Sequence, residues 1–233
     1  MSVQHLGRLI VLTVGLLTAC ATAVDRRLEQ IVREALPRLV GPADGYDVAV
    51  RGAHLGADRV DELRATGRRV RREAMPVVDR MEIVLADVLI DRTAGRIESV
   101  GAAAVTLELT ADDLTEYLRT QPWIDEPQVR LAAPAEVIVS GRLRIPGLGF
   151  VATPLGELRG ELVPRGSLLL VRVSALSLAG RSAPGVLRAV LEQAINPLVD
   201  TARHAMPSRI DEAQVRGDRL LLQASGSRSV RTR

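Results

Sequence analysis

The stretch MEIVLADVLIDRTAGRIESVGAAAVTLELTADDLTEYL, residues 81–118, decides how the rest of the chain is read. Its first part is apolar at odd and even positions alike, through Ile83, Val84, Leu85, Ala86, Val88, Leu89 and Ile90. It therefore predicts a strand that meets apolar material on both faces. After a turn at Thr93-Ala94-Gly95 the second part alternates: Ile97, Val105, Leu107 and Leu109 share one face, while Arg96, Glu98, Thr106 and Glu108 share the other, which is wet. Thr110 stands three residues before Asp113, the spacing of a capping box, and Leu114, Tyr117 and Leu118 give the following helix an apolar side. The unit reads strand, strand, helix.

Upstream, Val24, Leu28, Ile31, Val32, Ala35 and Leu36 form a helical stripe that Pro37 and Gly41-Pro42 stop. Tyr46 to Arg51 alternates as a strand, and Arg59 to Thr66 is a poorer one. Arg68, Arg69, Arg71 and Arg72 follow in a segment that reads as a loop. Guanidiniums in such a cluster can grip phosphates bidentately, which makes these four the headgroup candidates; a solvated turn accounts for the same run of charge.

Downstream, Pro122-Trp123-Ile124 and Pro127 mark a loop whose Trp either sits at headgroup level or packs over a helix end. Three strands follow, at Glu136 to Ile145, around Leu158 to Leu162, and at Leu168 to Leu178. They are joined by Pro146-Gly147-Leu148-Gly149 and Pro164-Arg165-Gly166-Ser167, connections too short for parallel crossovers. Pro184 opens the longest predicted helix, which carries Val186, Leu187, Val190, Leu191, Ala194, Ile195, Leu198 and Val199 and is kinked or ended at Pro197. Ile210 to Val215 and Leu220 to Ala224 close the chain as a hairpin around Gly217-Asp218, and the tail from Ser225 reads as disordered.

Hydrophobic residues make up 47% of the 233, enough for a real core and one domain. Acidic residues nearly cancel the basic ones, 28 against 31, so the pI of 9.9 overstates the positive surface. Every basic residue is Arg and none is Lys, a coding bias before it is chemistry. Only Tyr46, Tyr117, Trp123 and Phe150 are aromatic, too few for base-stacking platforms, so no nucleic-acid partner is expected. An aliphatic interior suits acyl chains better than sugars or bases.

Arg8 precedes an apolar run from Leu9 to Ala23, short for a membrane span and shaped like a secretory signal. The run contains Leu17-Thr18-Ala19-Cys20, which resembles a bacterial lipobox with Cys20 as the lipidated residue of the mature chain. An ordinary signal cut after Ala19, Ala21 or Ala23 is the other reading. Cys20 is the single cysteine, so no intramolecular disulfide explains it. Residues 1–20 are thus a signal peptide with lipobox, 21–226 one domain and 227–233 a disordered tail. The expected location is exported and membrane-anchored, on the outer side of the cytoplasmic membrane or in the periplasm or outer membrane. Only Ala21, Thr22 and Ala23 would separate the anchor from the first helix.

Catalytic signatures are missing. His5, His54 and His204 have no metal or triad spacing, no G-x-S-x-G marks a nucleophile, and Asp112-Asp113 at a helix start is explained by the macrodipole. Gly147-x-Gly149 lacks the rest of a phosphate loop, and Arg216-Gly217-Asp218 is what a tight hairpin wants. The expectation is no enzyme, no metal and no cofactor.

With these elements placed, the chain resembles the LmeA-like phospholipid-binding family of bacterial envelope proteins, from about Val24 to Gly226. The likeness rests on the N-terminal helix, the strand near Asp47 to Arg51, the Leu109-Thr110-Ala111-Asp112-Asp113-Leu114 junction, the alternation ending in Ile145-Pro146-Gly147-Leu148-Gly149, and Ile195-Asn196-Pro197, Met206-Pro207 and the last hairpin. The resemblance implies an α+β, tubular lipid-binding-like fold: a curved antiparallel sheet wrapped around a long C-terminal helix, with an N-terminal helix and an apolar groove for lipid tails. Members are associated with phospholipid binding and, in some cases, with elongation of mannosylated lipoglycans. The lipobox and the basic stretch Arg68 to Arg72 depart from that pattern, so the lipoglycan role is not carried over.

The expected function is an envelope lipoprotein that binds, and can shuttle, phospholipid; the alternative is a structural or assembly lipoprotein with a filled core. Groove candidates are Val84, Val88, Ile90, Val105, Leu107, Val171, Val173, Leu187, Val190, Leu191 and Ile195. The partners expected are phospholipid and the membrane surface.

Overall fold

The computed structural model describes residues 26–53, 59–91, 96–144, 154–203 and 209–228. Cys20, the turn at Thr93-Ala94-Gly95, Ile145 to Gly149, His54, His204, Met206-Pro207 and the last five residues lie outside them. In chain order the elements are α1 (residues 26–39), β1 (Gly45–Ala53), β2 (Arg59–Val70), β3 (Val78–Asp91), β4 (Arg96–Thr110), α2 (Ala111–Arg119), β5 (Ile124–Ala132) and β6 (Glu136–Leu143). They continue with β7 (Leu155–Arg165), β8 (Leu168–Leu178), β9 (Arg181–Ser182), α3 (Gly185–Ile195), β10 (Val199–Asp200), β11 (Arg209–Arg216) and β12 (Arg219–Arg228).

Every strand pairing is antiparallel, as the short connections require. The strands form two open six-stranded sheets rather than one curved sheet. The first has the order β1-β2-β3-β4-β12-β11; the second runs β10-β8-β7-β6-β5, with β9 against β8. They join at β11, the edge of the first sheet. Ile210 N–H donates to Gly166 O at 2.8 Å and Val215 N–H to Pro134 O at 2.7 Å, so two hairpin tips of the second sheet dock on that edge. One continuous apolar core runs through both sheets.

β3 is not apolar towards both sides. Its buried residues are Val78, Met81, Ile83, Leu85, Val88 and Ile90, while Val84 and Ala86 are half-buried and Leu89 is 39% exposed. The inward residues are two apart in the middle of the strand and three apart near each end. β2 does the same, burying Val60, Leu63, Ala65, Gly67 and Val70, and each of these faces an inward residue of β3: Val60↔Val88, Leu63↔Leu85, Ala65↔Ile83, Gly67↔Met81, Val70↔Val78.

Left-handed residues make these creases. Asp87 has φ 52° at the first and Arg69 has φ 53° at the second. Such a residue turns two successive side chains to one face, as a bulge does. Because both strands skip together, register is kept. At the first crease Gly52, with φ 69°, leaves room for the Asp61 carboxylate, which a Cβ there would strike. β3 therefore reads as doubly apolar in sequence because it changes phase twice, not because both faces are buried.

Other boundaries also move. β2 runs on to Val70, so Arg68 and Arg69 lie in a strand rather than a loop. α1 continues past Pro37 to residue 39 and buries Leu28, Val32 and Leu36, with Val40 just beyond. β12 extends to Arg228, so Ser225 to Arg228 are strand and not tail. Pro127 falls inside β5, whose Glu126 has φ 51° at an irregularity in the pairing with β6. α3 spans only Gly185–Ile195, is shorter than α1, and packs against β8; Leu198 lies in the connection and Val199 in β10. Pro197 ends the helix because it has no N–H to continue the ladder.

Candidate functional site

Two pockets flank α2. The helix starts as its sequence predicts: Asp113 N–H donates to Thr110 Oγ1 at 3.1 Å, and Thr110 N–H and hydroxyl donate to the Asp113 carboxylate at 3.4 and 2.6 Å. Asp113 is buried and also accepts from Arg69 Nη1, so the cap ties α2 to β2. At the other end, Tyr117 and Leu118 face the second pocket.

The first pocket, of about 640 Å³, is lined by Asp44, Arg68, Arg69, Asp79, Arg80, Glu108 and Arg219. The second crease builds it. With two successive side chains turned outward on each of two adjacent strands, Arg68, Arg69, Asp79 and Arg80 share one patch, and Glu108 of β4 and Arg219 of β12 complete it.

Ion pairs within the patch are unequally shared. Arg219 donates to Asp79 at 2.7 Å and to Glu108 at 3.4 Å, and the Asp79 bond raises its pKa above the usual arginine value. Arg69 holds Asp113 and lies 3.9 Å from Asp79. Arg71 bonds Asp44 at 2.7 Å. Arg72 donates to the carbonyls of Val40 and Leu39 at 3.2 and 3.4 Å, satisfying the C-terminal end of α1. Three of the four predicted headgroup arginines thus have structural partners. Among the described residues Arg68 has only Asp47 as an ion-pair partner, at 4.0 Å, with both side chains exposed, a pair worth little.

The second pocket, of about 210 Å³, lies between the C-terminal ends of α2 and α3. Met75, Leu118, Trp123, Ala194, Ile195 and Pro197 give it apolar walls, with Tyr117, Gln121, Asn196 and Asp200 among its polar ones. Trp123 is only 5% exposed, which decides between the two readings of that residue in favour of packing over the helix end. Its indole N–H is buried and has no acceptor among the described residues.

Of the predicted groove residues, Val88, Ile90, Leu107, Val171, Val173 and Leu191 are filled core, and Val84, Val105, Leu187 and Val190 are half-buried. Ile195 is the member of that set that reaches the pocket. Alternation found the core but not the pocket, because Ala74, Met75 and Gln121 come from connections with no period and Asp200 from the two-residue strand β10, too short to show one. Arg80 and Arg219 escaped the sequence reading for a related reason: only strand pairing brings them to Arg68 and Arg69.

The chain matches the family model described as LmeA-like phospholipid-binding over residues 18–225. It belongs to that family. No curated protein and no solved structure matches it. The match over nearly the whole chain makes phospholipid the ligand class this family implies. Among the described residues no helix is long and apolar enough to cross a membrane.

Proposed function

We propose that this LmeA-like protein is an exported envelope lipoprotein, held to the membrane through Cys20, that takes part of a phospholipid acyl chain into the pocket between α2 and α3. The family match is the observation that carries the lipid reading. The pocket supplies a place, since Met75, Leu118, Trp123 and Ile195 offer apolar contact and each methylene removed from water contributes about 0.8 kcal/mol.

At about 210 Å³ the pocket is smaller than the roughly 300–1,000 Å³ common for ligand sites, so loading requires it to widen. Widening falls to α3, and it requires the bonds from β8 to Glu192 and to the C-cap Asn196 to open. Leu191 and Ile195 are its buried residues, and Val186 on its first turn is 75% exposed. Outward displacement of α3 lengthens the pocket, and the same movement releases lipid for transfer.

Trp123 is the single tryptophan and lines the pocket, so it reports on entry. Phospholipid brominated along its acyl chains is expected to quench Trp123 emission in a chain begun at residue 21, and phospholipid is expected to co-purify with it. Absence of both overturns the proposal. A second reading, a structural or assembly lipoprotein with a filled core, draws on the small volume of this pocket and the dense packing around it. It predicts the unquenched result.

A further inference from the structure

Arg68 and Arg80 stand directly opposite each other on β2 and β3. Both side chains face outward into the 640 Å³ pocket. Like charges directly across an antiparallel pair destabilise a sheet. The carboxylates around the pair do not relieve it. Asp44 is held by Arg71, Asp79 by Arg69 and Arg219, and Glu108 by Arg219. Arg80 lies opposite Glu108 in the register, yet among the described residues it has no ion pair. Arg68 has the exposed Asp47 at the limit of ion-pair distance. Two guanidiniums, each a planar fork of donors, therefore border one open volume with no equivalent anion between them.

We infer that Arg68 and Arg80 form a clamp for a phosphate group. Guanidinium forks match phosphate oxygens bidentately, and a single phosphate bridging the pair converts a repulsive cross-strand contact into two charge-assisted ones. Arg69 and Arg219, locked by their carboxylates, act as the walls that keep the two clamp arginines extended over the pocket. Assigning the phosphate to a phospholipid headgroup rests on the lipid-binding reading above. The geometry agrees with that assignment: α2 carries Asp113, bonded to Arg69 beside the clamp, near its start and Leu118, in the second pocket, near its end. These two residues are separated by roughly 7.5 Å along the axis, at a rise of about 1.5 Å per residue.

The test is calorimetric titration of the full chain, in uncharged detergent, with inorganic phosphate, with glycerol 3-phosphate and with dihexanoyl phosphatidylglycerol. The wild type is expected to bind at least one phosphate probe saturably, and Arg68→Gln/Arg80→Gln to weaken it at least about tenfold. Arg119→Gln, an exposed arginine on α2, is expected to leave binding unchanged. Should the double variant fail to fold, Arg80→Lys keeps the charge without the fork and is expected to lose several-fold in affinity.

Lipid favoured at least about tenfold over inorganic phosphate assigns the clamp to a headgroup; equal affinity assigns it to free phosphate. No saturable binding by the wild type, or equal binding by the arginine variants, overturns the clamp. Quenching of Trp123 by brominated diacylglycerol, which has no phosphate, separates the two proposals. Quenching without phosphate binding defeats the clamp alone, and phosphate binding without quenching defeats the acyl pocket alone.

Discussion

At the scale of single residues, Asp113 carries more than its place in a capping box announces. Its carboxylate accepts from Thr110 and from Arg69 while only 3% of the residue is exposed, so its loss removes the tie to Arg69 as well as a helix cap. Asp113→Ala is expected to lower stability by about 1–3 kcal/mol, measured by urea denaturation, whereas Thr110→Ala should cost about 1 kcal/mol. Tyr46 makes a pH-dependent contribution. Its hydroxyl donates to Gly41 O at 2.6 Å, and burial raises its pKa above the ordinary 10.0, more than the nearby Arg72 cation lowers it. The folded state therefore holds this proton longer than the unfolded one. The stabilisation is full below pH 10.0 and is lost as pH rises through the higher folded value. Thermal melts should show a shallower alkaline decline for Tyr46→Phe than for the wild type.

Among elements, α3 and β8 depend on each other in a way that apolar spacing does not show. Between its short pairings with β9 and β10, the edge of β8 is covered by side chains instead of a strand. Val171 N–H donates to Asn196 Oδ1 at 2.7 Å, Asn196 Nδ2 donates to Val171 O at 2.9 Å, and Val173 N–H donates to Glu192 at 2.8 Å. Asn196 thus imitates a paired strand and blunts an edge that would otherwise be open. Asn196→Ala is expected to destabilise by about 1–3 kcal/mol and to speed hydrogen exchange at Val171 more than at Val173. The sequence marks Ile195-Asn196-Pro197 as the end of a helix. That Asn196 bonds an edge strand 25 residues upstream depends on the chain reversal after β8, which no local pattern records.

At the scale of the whole molecule, the described residues place twelve strands in two antiparallel sheets that share one core, and the family match runs almost end to end. Membrane attachment is the prediction that belongs to this scale. If Cys20 carries the lipid, protein expressed from the full sequence in a bacterial host should have the intact mass of a chain beginning at Cys20 plus a diacylglyceryl modification, and should sediment with membranes. Cys20→Ala should have neither property. The antiparallel strands, the capped start of α2, the closing hairpin and the family are legible in the sequence alone. Those signals are local: alternation, hydroxyl and carboxylate spacing, and Gly-Asp turns act within a few residues. Where the sheets divide, how far β2 extends, the two phase changes of β3 and the short span of α3 emerge only in the folded chain. Folding also brings Arg68 to Arg80 and places Met75, Trp123 and Ile195 around one pocket. Those outcomes depend on strand register, which pairs residues far apart in the chain, and on left-handed residues such as Arg69 and Asp87, a conformation that non-glycine residues rarely adopt.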